Sequence, residues 1–300
     1  MDDEPRVFTA ALTDYGSIAV SGADARAFLH AQLTNDISGQ TAQQARRAGW
    51  CSPKGRLLAS FLVVPRGEEF LLQVARDLVS VVLKRLRMFV LRSRVILTDA
   101  SDEWAQYGVW GAGAAHALDA LGVSAAQADL EVNSSGELIA VRIAPAHHLL
   151  LAGGAQRARI AAALPAGDAS DWALEEIRAG LPRVVLATQD LFLPQMVNLE
   201  LIGGVDFHKG CYPGQEIVAR TQYRGQLKRR MVRLRSPQPL QPGQDLYADD
   251  GSGQPSGTVV NAAGSEALAV LAIATLEADA AVRAEPGGAV LEILPPTRSG

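Results

Sequence analysis

The chain's candidates for chemistry are one well-placed cysteine and a block of basic residues that follows it. The cysteine lies in Lys209-Gly210-Cys211-Tyr212-Pro213-Gly214-Gln215-Glu216. Proline suits a first helical position, where no N–H is required, and Gln215 and Glu216 place acceptors in the following turn. The pattern therefore predicts a helix from about Pro213 through Ile217 and Val218. Cys211 would sit just ahead of a helix N-terminus carrying roughly half a positive charge, with the full charge of Lys209 nearby, a field that favours thiolate over thiol. Two readings stand side by side: a functional thiol assisted by Lys209, or a small buried hydrophobe beside a tight turn.

Downstream, Arg220, Arg224, Lys228, Arg229, Arg230, Arg233 and Arg235 crowd into a short stretch of a chain whose formal net charge is −4. A solvated strand face is one reading. The other is an anion site at a domain junction, since forked guanidinium groups pair well with carboxylates. RNA phosphate is a second possible anion, but aromatic residues make up 5% of the chain and none interleaves with this run after Tyr223, which argues against a stacking platform and direct nucleic-acid binding. Two cysteines cannot by themselves hold an iron–sulfur cluster, and His208 beside Cys211 is the nearest approach to a metal pair, so no stably bound metal is expected. No P-loop, dinucleotide fingerprint, nucleophile elbow or zincin motif is present.

The elements that must position these residues follow from length and periodicity. At 300 residues and 48% hydrophobic, the chain exceeds a usual single domain, and the pattern suggests divisions at 1–100, 101–225 and 226–300. Met1-Asp2-Asp3-Glu4-Pro5 is acidic without an apolar leader, no apolar run is long enough for a membrane span, and two cysteines offer no disulfide framework. A cytoplasmic setting is expected. The first hundred residues alternate strands and helices: a strand at 17–21, a helix from Gly22-Ala23-Asp24, strands at 43–51 and 56–64 joined by a type I turn at Ser52-Pro53-Lys54-Gly55, a strand at 70–75, a helix from Asp77 and a strand at 94–98. The second hundred repeat the order, with a strand at 104–110, a helix at 113–121, a hairpin about Asn133-Ser134-Ser135-Gly136, a strand at 148–151, a helix at 156–164 and a further helix at 171–179. Two such units imply a pair of ferredoxin-like sheets in an α+β fold. After Gln226, short strands at 231–235, 244–248, 257–260, 267–274, 280–283 and 289–294, separated by glycine turns, imply a small antiparallel barrel.

The runs Asn198-Leu199-Glu200, Gly203-Gly204-Val205, Lys209 to Glu216, Val218-Ala219-Arg220, Tyr223-Arg224-Gly225 and Lys228-Arg229-Arg230-Met231 resemble the YgfZ family of folate-binding proteins, relatives of the glycine-cleavage T-protein. Phe28-Leu29, Gln32-Leu33-Thr34-Asn35-Asp36 and Trp50-Cys51-Ser52-Pro53-Lys54-Gly55-Arg56 match the family's two other motifs in order. The resemblance implies two interleaved α/β units plus a C-terminal barrel around a central channel. It also implies tetrahydrofolate or a derivative as ligand, and Cys211 as the functional thiol in a turn shaped by Lys209, Tyr212, Gln215 and Glu216. Asn35, Asp36 and Lys54 would face the ligand, and Arg220, Arg224, Lys228, Arg229 and Arg230 would contact its anionic tail. YgfZ-like proteins are implicated in assembling or repairing iron–sulfur enzymes, including a radical enzyme that methylthiolates tRNA, so iron–sulfur client proteins are the implied partners. Where the aminomethyltransferases carry an acidic pair, this chain has Arg56-Leu57-Leu58-Ala59-Ser60, and a further T-protein glutamate aligns with Arg178. Those departures favour an accessory factor over a folate-dependent one-carbon transferase. An RNA-binding module is the other alternative.

Overall fold

In the computed structural model, which describes residues 6–295, the first part of the chain folds twice to one plan. After β1 (Phe8–Ala11), the strand β2 (Tyr15–Ser21) leads into α1 (Ala25–Gln32). A meander of β3 (Arg46–Cys51), β4 (Leu57–Arg66) and β5 (Glu69–Ala75) follows, then α2 (Val79–Arg87) and β6 (Ile96–Asp99). The sheet order is β3-β4-β5-β2-β6. The second round runs β7 (Trp104–Trp110), α3 (Ala114–Ala120), the meander β8 (Val132–Ser135), β9 (Leu138–Ala144) and β10 (His147–Gly153), and α4 (Arg157–Ala163). Its order is β8-β9-β10-β7-β1. The edge place that β6 fills in the first sheet is thus filled in the second by β1, antiparallel to β7 with Phe8 opposite Trp110 and Ala11 opposite Tyr107. The two ferredoxin-like units are interleaved through this exchange, as an α+β fold of this type requires. Sequence periodicity did not reveal β1, which is short and whose partner lies about a hundred residues away.

By contacts the chain divides into two compact units. The first holds residues up to His30, Asp36–Arg47 and Phe61–Trp172. In its second sheet, Val109, Leu138 and Leu150 bury against Leu118, Leu121 and Ile160 from the helices. Val79, Val82, Leu83 and Leu86, at helical spacing, form the buried stripe of α2, and the almost unbroken apolar run Leu57–Val64 is a strand with nearly every side chain covered. Gly108 is needed for close packing: a Cβ there would lie 2.3 Å from the Trp172 ring, which meets Trp110 at a tilt with ring centres 5.5 Å apart. The 133–136 hairpin is shifted from its expected place. Asn133, Ser134 and Ser135 belong to β8, and the two-residue turn is Gly136-Glu137, because Gly136 takes the left-handed backbone (φ 57°) that the turn demands.

The second unit holds Ala31–Asn35, Ala48–Ser60 and the chain from Ala173 onward. α5 (Ala169–Arg178) leads into it, and α6 (Gln215–Tyr223) precedes the barrel. Six strands, β11 (Arg229–Arg235), β12 (Asp245–Ala248), β13 (Pro255–Ala263), β14 (Glu266–Ala272), β15 (Val282–Arg283) and β16 (Val290–Leu294), close in the order β11-β14-β13-β12-β15-β16 around Leu234, Leu246, Val259, Leu271 and Leu291. The strand expected over 267–274 stops at Ala272, and α7 (Ile273–Glu277) begins directly after a last ladder bond from the Ile273 N–H to Lys228 O at 2.8 Å. Among the described residues no helix is long and apolar enough to cross a membrane, and the acidic segment 1–5 lies outside them.

His148 on β10 gives the first unit a pH dependence. It is buried, its Nε2 lies 3.1 Å from Ala126 O and its Nδ1 has no partner among the described residues. Burial pushes its pKa below the ordinary 6.5, more than the Ala126 bond raises it, and the nearby charges of Arg142 and His147 push the same way. The unfolded chain therefore takes up this proton first, so stability present above about pH 6.5 is lost as the pH falls below it. Urea unfolding at about pH 8 and about pH 5.5 should show a drop that His148→Gln, which does not titrate, reduces. An equal drop in the variant would assign it elsewhere.

Candidate functional site: a cysteine turn held by three sequence motifs

Two segments far apart in sequence, Leu33-Thr34-Asn35 and the loop 203–209, are stitched together. Thr34 Oγ1 donates to Gly204 O at 2.6 Å, Asn35 Nδ2 to Gly203 O at 2.6 Å, the Asp206 N–H to Thr34 O at 2.9 Å, and Lys209 Nζ to Leu33 O at 2.5 Å. Thr34 also accepts the Gly49 N–H at 2.7 Å and returns its own to Gly49 O at 2.9 Å, which ties the start of the Trp50–Arg56 motif to the same place. Lys209 is 9% exposed, and its ammonium lies 5.1 Å from the centre of the Tyr212 ring. Burying an ammonium is costly unless it is paired, and here the charge-assisted bond to Leu33 and the aromatic face offset that cost.

Tyr212-Pro213-Gly214-Gln215 forms a type II turn rather than a helix start. The Gln215 N–H donates to Tyr212 O at 3.2 Å, Pro213 takes the second place, and Gly214 has φ 79° and ψ 2°. A side chain at Gly214 would also place its Cβ 2.4 Å from Ser52 O. α6 accordingly begins at Gln215, two residues later than the Pro-Gly pattern predicts. The expected turn Ser52-Pro53-Lys54-Gly55 closes by a 2.8 Å bond from the Gly55 N–H to Ser52 O, and Ser52 Oγ donates to Asp190 Oδ1 at 2.8 Å. Gly55 packs against Gly214 and Ile217, leaving Lys54 exposed at the tip.

Cys211 is therefore an exposed thiol flanked by two buried anchors, Lys209 and Tyr212. Burial, followed by the neighbouring Cys51 and Asp206, pushes the Tyr212 phenol up, so it stays neutral. Cys51 ends β3 with its side chain buried. Desolvation first, and the Asp190 carboxylate second, push its thiol from 9.0 up to about 12. Gln215 Nε2 reaches back to Lys209 O and Gly210 O at 3.4 and 3.5 Å, while Glu216 projects from the first turn of α6 into solvent.

The arginine run divides. Arg230 is half-buried, donating to Gln195 O at 2.8 Å and to Glu200 Oε1 at 2.5 Å, and the Glu200 side chain is 8% exposed. Arg233 faces Glu266 at 3.8 Å and Arg235 pairs with Glu292 at 2.8 Å. Among the described residues Arg220, Arg224, Lys228 and Arg229 have no carboxylate partner. Tyr223 is exposed and meets Phe207 edge-on at 6.1 Å. Asp36 falls in the first unit, where it pairs with His30 at 3.0 Å. Partial burial raises its pKa, but the N–H groups of Gly39 and Ser38 and the charges of His30 and Arg46 outweigh this and hold it low.

Thr34, Asp190 and Glu200 are the members of this arrangement that residue types alone did not single out, although Thr34 and Glu200 lie in runs flagged by family resemblance. Over Arg56–Ser60, Leu57, Leu58 and Ala59 are buried, and Ser60 Oγ accepts the Val184 N–H at 2.9 Å. Arg178 is held by Glu175 at 2.9 Å and Glu266 at 3.3 Å. Among the described residues no three His, Cys, Asp or Glu side chains gather as metal ligands.

Residues 6–165 match the GCVT N-terminal domain, and 228–298 match the CAF17 C-terminal beta-barrel domain. The chain is 35% identical over 232 residues to the tRNA-modifying protein YgfZ of Edwardsiella ictaluri (strain 93-146), covering 75% of this chain and 70% of that one. It is 32% identical over 233 residues to the protein of the same name from Vibrio vulnificus (strain YJ016), covering 77% and 70%. A crystal structure of glycine cleavage system aminomethyltransferase T from Bartonella henselae superposes with a TM-score of 0.74 at 16% identity over 89% of this chain and 79% of that one, a likeness of fold.

The two thiols should separate cleanly. With its pKa raised from 9.0 to about 12, Cys51 holds roughly a thousandfold less thiolate than an ordinary cysteine at neutral pH, besides being buried. Iodoacetamide followed by peptide mass mapping should modify Cys211 alone in the folded protein and both after denaturation. Equal labelling in the folded state would refute this placement of the two side chains.

Proposed function

Because the chain belongs to the YgfZ family, we propose that it is a tetrahydrofolate-binding accessory factor that supports iron–sulfur protein assembly or repair and, through such clients, tRNA modification. The observation that carries the reading is the exposed Cys211 on a turn fixed by Lys209, Thr34, Asn35 and the Ser52–Gly55 turn. A packing cysteine would not be left in solvent between two buried anchors. The relatives' name supports the link to tRNA modification, and tRNA methylthiotransferases are the class of iron–sulfur client this reading favours.

The residues present fit a folate's anionic tail. Arg220, Arg224 and Lys228 are exposed, Arg229 is half-buried in β11, and none has a carboxylate partner among the described residues, so their donors are available to glutamate carboxylates. Arg230 is already matched by Glu200, which makes it a brace for the Asn198–Glu200 loop more than a ligand contact. Asn35, through its bond to Gly203, fixes the loop, while Lys54, Tyr212, Gln215 and Glu216 frame the turn. Bound tetrahydrofolate would supply a one-carbon carrier.

The protein's own contribution is to orient that ligand and present a thiol. The stretch Leu57–Ser60 offers no carboxylate, and Arg178 brings a guanidinium bound to two carboxylates where a transferase would place an acid. This favours the accessory role over one-carbon transfer.

Calorimetric titration with tetrahydrofolate polyglutamate tests the first half. Affinity should fall with salt, and Arg220→Ala with Arg224→Ala should weaken it by about 1.5–3 kcal/mol per charged hydrogen bond lost, whereas Arg230→Ala should act mainly through stability. Cys211→Ser tests the second half: folate affinity should persist while iron–sulfur enzyme activity and tRNA methylthiolation fall in cells lacking the native protein. Full activity of that variant would return the cysteine to a structural role.

A further inference from the structure

The first unit contains a cavity of about 320 Å³ that the functional reading above does not use. Its wall includes Arg76, which follows β5, Arg157 at the start of α4, Trp104 and Tyr107 of β7, and Asp102 and Gln106. The polar floor is already satisfied. Gln106, 5% exposed, accepts from Gln73 Nε2 at 2.7 Å and donates from its own Nε2 to Ser17 Oγ at 3.0 Å, so both ends of its amide are held and it fixes the shape.

The two arginines differ from this floor. Each guanidinium carries five N–H donors, and the described partner of each is Asp102: Arg76 Nη2 meets Oδ1 at 3.3 Å, and Arg157 Nη2 donates to the backbone carbonyl. Asp102 thus holds both forks beside the same cavity while most of their donors stay unused. It is the one carboxylate in the lining, set against two guanidinium groups. The lining therefore keeps a net positive charge. Trp104 is fixed from another direction by Arg66, whose guanidinium lies 4.9 Å from the ring centre. Trp104, 7% exposed, and two poised guanidinium groups thus border one space at the small end of the range for ligand pockets.

We infer that this cavity binds a nucleoside monophosphate, its phosphate bridged by Arg76 and Arg157 and its base against Trp104. Two forked groups match the charge and three terminal oxygens of a phosphomonoester better than those of a carboxylate. The volume suits one nucleotide and is small for a dinucleotide.

The test is titration of the full chain with adenosine 5′-monophosphate, followed by calorimetry and tryptophan fluorescence, with adenosine and inorganic phosphate as comparisons. The mononucleotide should bind, should quench fluorescence, and should bind at least about tenfold more tightly than adenosine. Arg76→Gln and Arg157→Gln, checked for unchanged thermal melting, should each weaken it by about tenfold. Trp104→Phe should remove most of the quenching among the chain's four tryptophans while calorimetric binding persists. Absence of binding at millimolar nucleotide, equal affinity for adenosine, or unchanged affinity in both arginine variants would each overturn the assignment.

Discussion

The arrangement around Cys211 depends on one buried charge. Lys209 carries an ammonium into a site that is 9% exposed, and such a group is tolerated only with partners in place. Those partners come from different parts of the chain: the Leu33 carbonyl, from the N-terminal motif, and the Tyr212 ring, three residues further along its own loop. The buried Lys209 thus draws on both the 31–35 segment and the 203–214 loop in their native places. Thr34, bonded to Gly204 on one side and Gly49 on the other, extends the same dependence to the hairpin that ends in Ser52-Pro53-Lys54-Gly55. Three sequence motifs bonded across as many as 176 residues are therefore parts of one construction, and exposure of the Cys211 thiol is its outcome.

That construction also explains why glycine and proline crowd the loop. Pro213 and Gly214 make a turn whose left-handed residue lies against the Ser52 carbonyl, a position with no room for a side chain. The glycine therefore sets how closely the two turns approach, while proline limits the freedom the loop loses on folding. The arginine run shows a division of labour within one sequence feature. Arg230 and Arg233 face the nearly buried carboxylates of Glu200 and Glu266 and hold elements together, while Arg220, Arg224, Lys228 and Arg229 keep their charge available.

Local chemistry made much of this legible. The strand at 104–110 and the stripe of α2 follow from period and apolar content, and the doubled order of elements is visible in the sequence pattern. What sequence hid was mostly non-local. β1 is a strand because β7 accepts it, and nothing within its four residues announces that partner. Arg230 looks like its neighbours until Glu200, thirty residues earlier, is found beside it. The Pro-Gly pair admits both a helix start and a type II turn, and the close approach of Ser52 decides for the turn.

The central claim is that Lys209 couples the N-terminal motif to the cysteine loop. Hydrogen–deuterium exchange of Lys209→Met, which keeps most of the stem and removes the charge, tests it most directly. The account predicts faster exchange in both 31–35 and 203–214, with the barrel strands β11 to β14 still protected. Unchanged exchange in the 31–35 segment would contradict it.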